Sequence, residues 1–128
     1  MLRFCLVVCA LIGSVLSSSP WIAEPRDPLW MLRHLDLLKQ TQQHKNDTQI
    51  VFFGDSITEG WMSTGKAIFD KNYEKLHAYN YGIGGDRTQH LIWRLQNKEF
   101  EGLNPKVIIL MIGKLLFLFI NNVHLLKN

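Results

Sequence analysis

The chain has 128 residues, a formal net charge of +3 and 47% hydrophobic residues, which suits one globular domain with a modest core and leaves too little length for two. A positive charge this small excludes the electrostatic footprint of a nucleic-acid-binding protein. The two cysteines, Cys5 and Cys9, both lie near the N-terminus.

The first 17 residues have the pattern of a secretory signal peptide. Arg3 precedes an apolar run over residues 4–12, and small residues follow, with cleavage expected near Ser17. The run is shorter than the roughly 20 residues of a spanning helix, so a retained signal anchor is the weaker alternative. Cleavage would leave a net charge of +2 and no cysteine. We therefore expect a secreted protein without a disulfide, and Asn46, in the sequon Asn46-Asp47-Thr48, is its candidate glycosylation site.

Residues 18–47 are predicted to form a leader and one amphipathic helix. Asp27 followed by Pro28 is typical of a helix start. Four apolar residues follow at or beside helical spacing, namely Met31, Leu32, Leu35 and Leu38. Residues 39–47 lack this periodicity and predict a polar connection to the first strand.

Residues 48–113 predict alternating strands and helices. Buried strands are expected at 50–53, 78–81 and 107–112, with helices at about 66–76 and after residue 86. In the second of these helices, Leu91, Ile92 and Leu95 are predicted to be apolar-face residues, and Arg87, Arg94 and Lys98 polar ones. The order β-α-β-α-β implies a parallel sheet whose strands all end at one edge. Ser56, Gly85 and Gly113 should therefore meet at one rim.

Ser56 has two interpretations from its local sequence. The apolar run 50–53 stops at Gly54-Asp55-Ser56, which places the serine just beyond the carboxyl end of a strand, where open α/β sheets bind ligands. A nucleophile is presented in this way. Serine is also a common helix cap, and the segment alone favours that role.

Two glycine motifs permit phosphate-binding interpretations, and both are weak. The segment Gly60 to Lys66 has the spacing of a P-loop, but Ala67 stands where a magnesium-binding Ser or Thr is required. The segment Gly82-Ile83-Gly84-Gly85-Asp86-Arg87 starts like a dinucleotide fingerprint but has Arg87 in place of the third glycine. Both segments make better sense as parts of an ester hydrolase, which needs a nucleophile and amides aimed at the developing oxyanion.

Together the motifs resemble the SGNH hydrolases, also called GDSL esterases and lipases. Gly54-Asp55-Ser56-Ile57 matches the first family block, and residues 82–95 match the second, which is particularly similar to the catalytic subunits of platelet-activating factor acetylhydrolase and secreted relatives. The resemblance implies an α/β fold, a three-layer α/β/α sandwich with a parallel flavodoxin-like sheet, of which this chain would hold the N-terminal portion. It also implies that Ser56 is the nucleophile, Gly85 an oxyanion donor and Asp55 a turn-shaping residue, without metal or cofactor. His90 is more typical of a structural residue.

The sequence departs from the family after residue 113. The third block should supply an Asn that donates to the oxyanion, but Leu115 occupies that position. The Asp-x-x-His block that carries the base is missing, and His124 has no acid near it in sequence. Residues 114–128 are therefore predicted to be a divergent tail on a truncated form of the hydrolase domain. We expect an inactive chain with an exposed edge along strand 107–112 and a tendency to aggregate.

The sequence thus divides into a signal peptide (1–17), a leader with a helix (18–47), a partial hydrolase domain (48–113) and the tail (114–128). Its predicted function is hydrolysis of short acyl esters, on lipids or sugars, by the complete form of the domain. The alternatives are a non-catalytic binding or partner module that retains an ester or carbohydrate pocket, and an inert fragment. The expected partner is a small-molecule ester, with neither nucleic acid nor a stable membrane span.

Overall fold

The computed structural model describes residues 19–113 and, for the backbone alone, residues 115–120. The predicted signal peptide, His124 and the end of the tail lie outside the described residues. Among the described helices, none combines the length and apolar character that crossing a membrane requires.

Four helices and four strands make up the described fold, in the order α1, β1, α2, α3, β2, α4, β3, β4. The helices are α1 (Pro28–His44), α2 (Ser56–Glu59), α3 (Lys66–Tyr73) and α4 (Thr88–Gln96). The strands are β1 (Ile50–Gly54), β2 (Ala78–Gly82), β3 (Val107–Ile112) and β4 (Leu115–Ile120). Short 3₁₀ turns at Gly60–Met62 and Glu74–Leu76 follow α2 and α3. The predicted alternation of strands and helices is confirmed.

The sheet has the strand order β2-β1-β3-β4. The first three strands are parallel, with Gly54 of β1 level with Gly82 of β2 and Met111 of β3. The predicted exposed edge on β3 is wrong, because β4 pairs antiparallel with it over the whole register from Val107 opposite Ile120 to Ile112 opposite Leu115. The apolar tail segment therefore continues the sheet, and β4 becomes its outer strand.

Helices cover both faces of the sheet, which confirms the α/β/α architecture. On one face, which we call the α1/α4 face, Val51, Phe53 and Tyr81 of the sheet pack with Trp30 and Leu37 of α1 and Leu91 of α4. On the other, the α3 face, Phe52 and Ala78 pack with Phe69 of α3, and Trp61 and Tyr73 border them. Alternate residues of β1 point to opposite faces, as the period of a strand requires.

The helix α1 begins where the sequence predicts but buries a different face. Asp27 is its N-cap and accepts a hydrogen bond from the Trp30 backbone N–H at 3.1 Å. Its buried residues are Trp30, His34, Leu37 and Thr41, whereas the predicted apolar-face residues Leu32 and Leu35 are 58% and 43% exposed. The predicted polar connection is also shorter than expected, because α1 continues to His44.

The helix α4 shows the largest error in the sequence-based assignment of polar positions. Arg94, predicted on the polar face, is fully buried, and Leu95, predicted on the apolar face, is 47% exposed. The buried residues of α4 are Gln89, His90, Leu91 and Arg94. Leu91 and Arg94 are three residues apart and thus share a face of the helix. A hydrogen bond from Arg94 Nη2 to the Tyr81 carbonyl oxygen of β2, at 2.5 Å, adds to the apolar packing of Leu91 in holding α4 against the sheet.

Candidate active site

The loop after β1 presents Ser56 at the start of α2. Asp55 is the N-cap of this short helix, since its Oδ1 accepts from the Ile57 backbone N–H at 2.9 Å. Its Oδ2 accepts from the Gly113 N–H at 2.7 Å, which ties the end of β1 to the end of β3. The capping role that the local sequence favoured for Ser56 thus belongs to Asp55. Ser56 is exposed as the first helical residue.

Glycine is required at the last position of β1. A Cβ on Gly54 would lie 1.9 Å from the Met111 carbonyl oxygen and 2.4 Å from Thr58 Oγ1. Both distances are far below van der Waals contact, and the first involves backbone that cannot move aside cheaply. The close approach of β3 to β1 therefore depends on this glycine. The P-loop interpretation of residues 60–66 finds no support here, since Gly60 follows α2 and not a strand.

The glycine-rich turn after β2 lies beside Ser56. A Cβ on Gly82 would lie 2.2 Å from the Glu59 backbone nitrogen, so β2 ends directly against α2. A Cβ on Gly84 would lie 3.8 Å from the Ser56 Cβ, which places this turn next to the serine. Gly85 is exposed and has φ of +79°, a conformation that glycine adopts readily. The rim predicted from the topology thus brings Ser56, Gly85 and Gly113 to one edge of the sheet.

Two charged side chains form hydrogen bonds with the backbone of Gly84, the residue before the candidate oxyanion donor Gly85. Glu59 Oε2 accepts from the Gly84 N–H at 3.0 Å. Arg26 Nη1, from the leader, donates to the Gly84 carbonyl oxygen at 2.8 Å. Sequence reasoning assigned no role to either residue. Glu59 stands three residues after Ser56, on the same side of α2, and this spacing is a signal that was available.

A buried charge cluster lies beneath the glycine-rich turn on the α1/α4 face. Arg94 donates to Asp86 Oδ2 at 2.6 Å and to both carboxylate oxygens of Glu99, with Nε at 2.9 Å from each. Trp30 Nε1 donates to Asp86 Oδ1 at 2.6 Å, and His34 Nδ1 lies 2.6 Å from Glu99 Oε2. Asp86, which lies in the glycine-rich turn, is therefore held by buried side chains of α1 and α4. The signal that sequence analysis missed is an arginine on a buried helical face with an acid on either side in sequence.

Burial shifts the pKa of two side chains in this region, Asp86 and His90. It raises the pKa of Asp86, an effect that the Arg94 guanidinium opposes by stabilising the carboxylate. It lowers the pKa of His90, whose Nδ1 accepts from the Arg87 backbone N–H at 3.0 Å. An accepting Nδ1 requires a ring nitrogen without a proton, so the hydrogen bond and the direction of the pKa agree.

None of the four histidines that the structure describes is paired with Ser56. His34 pairs with Glu99, His44 and His77 flank Asp47, and His90 contacts the backbone of Arg87. The third-block position Leu115 opens β4, where its backbone pairs with Ile112, and the chain turns back at Gly113 with φ of +60°. In the part of the chain that the structure describes, the candidate nucleophile Ser56 and the candidate donor Gly85 therefore lie at one edge of the sheet without a histidine paired to the serine. Nor do the described residues contain a group of three His, Cys, Asp or Glu that could hold a metal ion.

Comparisons with known proteins agree with the motifs. Residues 52–113 match the GDSL-like lipase/acylhydrolase family. The chain is 36% identical over 87 residues to the platelet-activating factor acetylhydrolase IB subunit alpha1 of Rattus norvegicus and of Homo sapiens, and 37% identical over 87 residues to the subunit alpha2 of Homo sapiens. Each match covers 68% of this chain but only 36% of the relative. Over this region the chain therefore resembles the SGNH hydrolases, the GDSL-like lipases and acylhydrolases.

Proposed function

We propose that the chain carries the nucleophile half of a serine ester hydrolase site. The observation that carries this proposal is the exposed Ser56, capped into position by Asp55 and flanked by the Gly84–Gly85 turn. Ser56 Oγ would attack the ester carbonyl carbon, and the backbone N–H groups of Ser56 and Gly85 would donate to the oxyanion that forms. Departure of the alcohol leaves an acyl-serine, which water then hydrolyses.

The proposed substrates are acetyl or short acyl esters of lipids or sugars. The relatives are named as acetylhydrolases of platelet-activating factor, which favours a small acyl group in the substrate of this chain as well.

The proton of Ser56 needs an acceptor that the described residues do not place beside it. Loss of one member of a catalytic triad lowers turnover by several orders of magnitude. We therefore propose that this chain alone turns over esters slowly and that a supplied base accelerates it. Exogenous imidazole is a suitable base because it is small and is half protonated near neutral pH.

A chromogenic acetyl-ester assay with and without imidazole tests the proposal. The rate above background should depend on imidazole and should vanish in Ser56→Ala. Ser63→Ala is the matched control, because Ser63 is exposed in the same segment and only donates to the Gly60 carbonyl. Equal rates in the parent chain and Ser56→Ala, with imidazole present, would refute the role of Ser56 as a nucleophile.

A binding module is the second candidate, because no base contacts Ser56 within residues 19–113. It predicts that short acyl esters shift the amide resonances of Ser56 and Gly85 without being hydrolysed at any imidazole concentration. Titration of an acetyl ester into ¹⁵N-labelled protein separates this outcome from hydrolysis, since a product signal appears only in the second case.

We also propose secretion, on the strength of Arg3 and the apolar run that follows it. Asn46 is exposed in the turn after α1, as a glycosylated side chain must be. Expression in a eukaryotic secretory host should yield protein in the medium with a new N-terminus near Ser17. Glycosidase treatment should lower its mass, and Asn46→Gln should abolish that change.

A further inference from the structure

We infer that Arg26, which lies outside the region matched to the family, is a positioning residue that aims the Gly85 N–H at the oxyanion site. This inference rests on the proposed function, since it assigns the oxyanion donor a fixed direction. The Gly84 carbonyl and the Gly85 N–H belong to one planar unit and point in opposite directions when the bond is trans. The described residues contain no cis peptide bond.

Arg26 holds that carbonyl directly. Its Nη1 donates to the Gly84 oxygen at 2.8 Å, so a side chain of the leader fixes one end of the peptide plane. Fixing the carbonyl direction also fixes the N–H on the opposite side. A guanidinium on the carbonyl further polarises the amide and makes its N–H a stronger donor.

The turn needs such an external constraint because its own residues supply little. Gly84 and Gly85 have no side chains to pack, and glycine has the widest choice of backbone conformations. Arg26 occupies the space that a side chain on Gly85 would take, since a Cβ there would lie 3.1 Å from its Nη1. On the preceding peptide, Glu59 accepts from the Gly84 N–H at 3.0 Å. The two charged residues therefore hold consecutive peptide units.

Arg26 is itself held in place by carboxylates. Its Nη1 lies 3.5 Å from Asp86 Oδ1 and its Nη2 lies 3.6 Å from Asp27 Oδ2. The side chain is 27% exposed, so it is partly shielded from water while it contacts the turn. Asp86 is in turn anchored by Arg94 and Trp30. The leader thus connects to the buried charge cluster through the same aspartate that closes the turn.

How firmly the Gly85 N–H is held in one direction can be measured without any turnover. In ¹⁵N relaxation experiments on the 128-residue chain, its order parameter should be near the rigid-backbone value of about 0.85 and should fall towards about 0.6 in Arg26→Gln. Arg26→Lys should lie between the two, since lysine keeps the charge but has one donor centre instead of a planar fork. Arg33→Gln is the matched control, because Arg33 borders the same groove as Arg26. An unchanged order parameter in Arg26→Gln, with the core amides intact, would overturn the inference.

The kinetic consequence is a separate arm of the test. In the imidazole-assisted assay, Arg26→Gln should lower kcat at least 10-fold with KM nearly unchanged, because the oxyanion forms only after binding. Arg26→Lys should restore part of the loss. A rise in KM at constant kcat would contradict the inference and show that Arg26 binds substrate. If the parent chain shows no Ser56-dependent rate, the proposed function fails, and the order parameters still decide whether Arg26 restrains the peptide.

Discussion

The two faces of the sheet are stabilised in different ways. The α1/α4 face buries Arg94, Asp86, Glu99 and His34 beside its apolar residues, and these side chains are joined by hydrogen bonds. The α3 face buries Phe52 and Phe69, whose rings meet edge to face with centroids 5.2 Å apart. Ion pairs and hydrogen bonds are directional, whereas apolar packing tolerates changes of shape. The α1/α4 face, which is held by these directional interactions, also anchors the glycine-rich turn through Asp86.

One polar residue on the α3 face fits the same rule. Asn80 is buried in β2, where its Nδ2 donates to the Thr58 carbonyl at 2.6 Å and its Oδ1 accepts from the Gly82 N–H at 2.8 Å. It therefore links α2, the helix that begins with Ser56, to the end of β2. Asn80 thus helps to hold the helix of the candidate site in one position.

The difference between the α1/α4 face and the α3 face is tested most strongly by Arg94→Met. This substitution should lower the free energy of unfolding by about 3–5 kcal/mol. Methionine fills much of the space but removes the Arg94 guanidinium from two buried carboxylates, so that Asp86 keeps only the longer ion pair with Arg26 and Glu99 only the contact with His34. Chemical denaturation measures the change, with the exposed Lys98→Met as control. A loss below about 1 kcal/mol would mean that the charge cluster tolerates apolar replacement as the other face does, and the contrast between the faces would disappear.

A smaller effect is expected for Asn80→Ala. The substitution removes the side-chain hydrogen bonds to the Thr58 carbonyl and from the Gly82 N–H, and we expect a loss of about 2–3 kcal/mol in the free energy of unfolding. Asn72→Ala is the matched control, since Asn72 is exposed and donates to a carbonyl of its own helix. Denaturation curves that coincide for the two variants would show that Asn80 does not secure α2.

The α3 face should tolerate a change of shape. Phe69→Leu keeps an apolar side chain in the aromatic cluster, and we expect a loss of about 1 kcal/mol. The measurement is the same denaturation experiment. A loss as large as that of Arg94→Met would show that the α3 face tolerates substitution no better than the α1/α4 face.

The fold was predictable from the sequence because local patterns determine most of it. Apolar runs located the three parallel strands, and Asp27-Pro28 located the start of α1. The antiparallel β4 was not predicted, since residues 115–120 form an apolar run that has no partner until β3 is in place. Pairing between strands is a long-range property that a short window of sequence does not contain.

The candidate site was only partly predictable. The positions of Ser56 and Gly85 follow from motifs and topology, which bring the ends of parallel strands together. The residues that support them do not form a motif: Arg26 precedes Gly84 by 58 positions, and Trp30, which donates to Asp86, precedes it by 56. Charged residues are usually assigned to the surface, so Arg94 was misplaced by a rule that holds for most arginines. Only its paired acids explain why it is buried.

The smallest expected effect concerns protonation on the α1/α4 face. Burial lowers the pKa of His90 below its ordinary value of 6.5, and Arg26 and Arg87 act in the same direction, while Asp86 and Glu24 oppose them. The folded protein therefore keeps His90 neutral at a pH where the unfolded chain already binds a proton. The contribution of His90 to stability is present above pH 6.5 and is lost as the pH falls from there through its lowered folded-state pKa.

The variant His90→Asn isolates this contribution, because asparagine can accept from the Arg87 N–H but does not titrate. The free energy of unfolding should fall more steeply for the parent chain than for His90→Asn between about pH 7 and about pH 5, and the two slopes should agree above pH 7. Phe69→Leu should retain the parent's slope over the same interval, because it removes no titratable group. Equal slopes in the parent and His90→Asn would mean that His90 is free to take a proton in the folded state. The α1/α4 face would then lack the neutral histidine that the hydrogen bond from the Arg87 N–H to His90 Nδ1 implies.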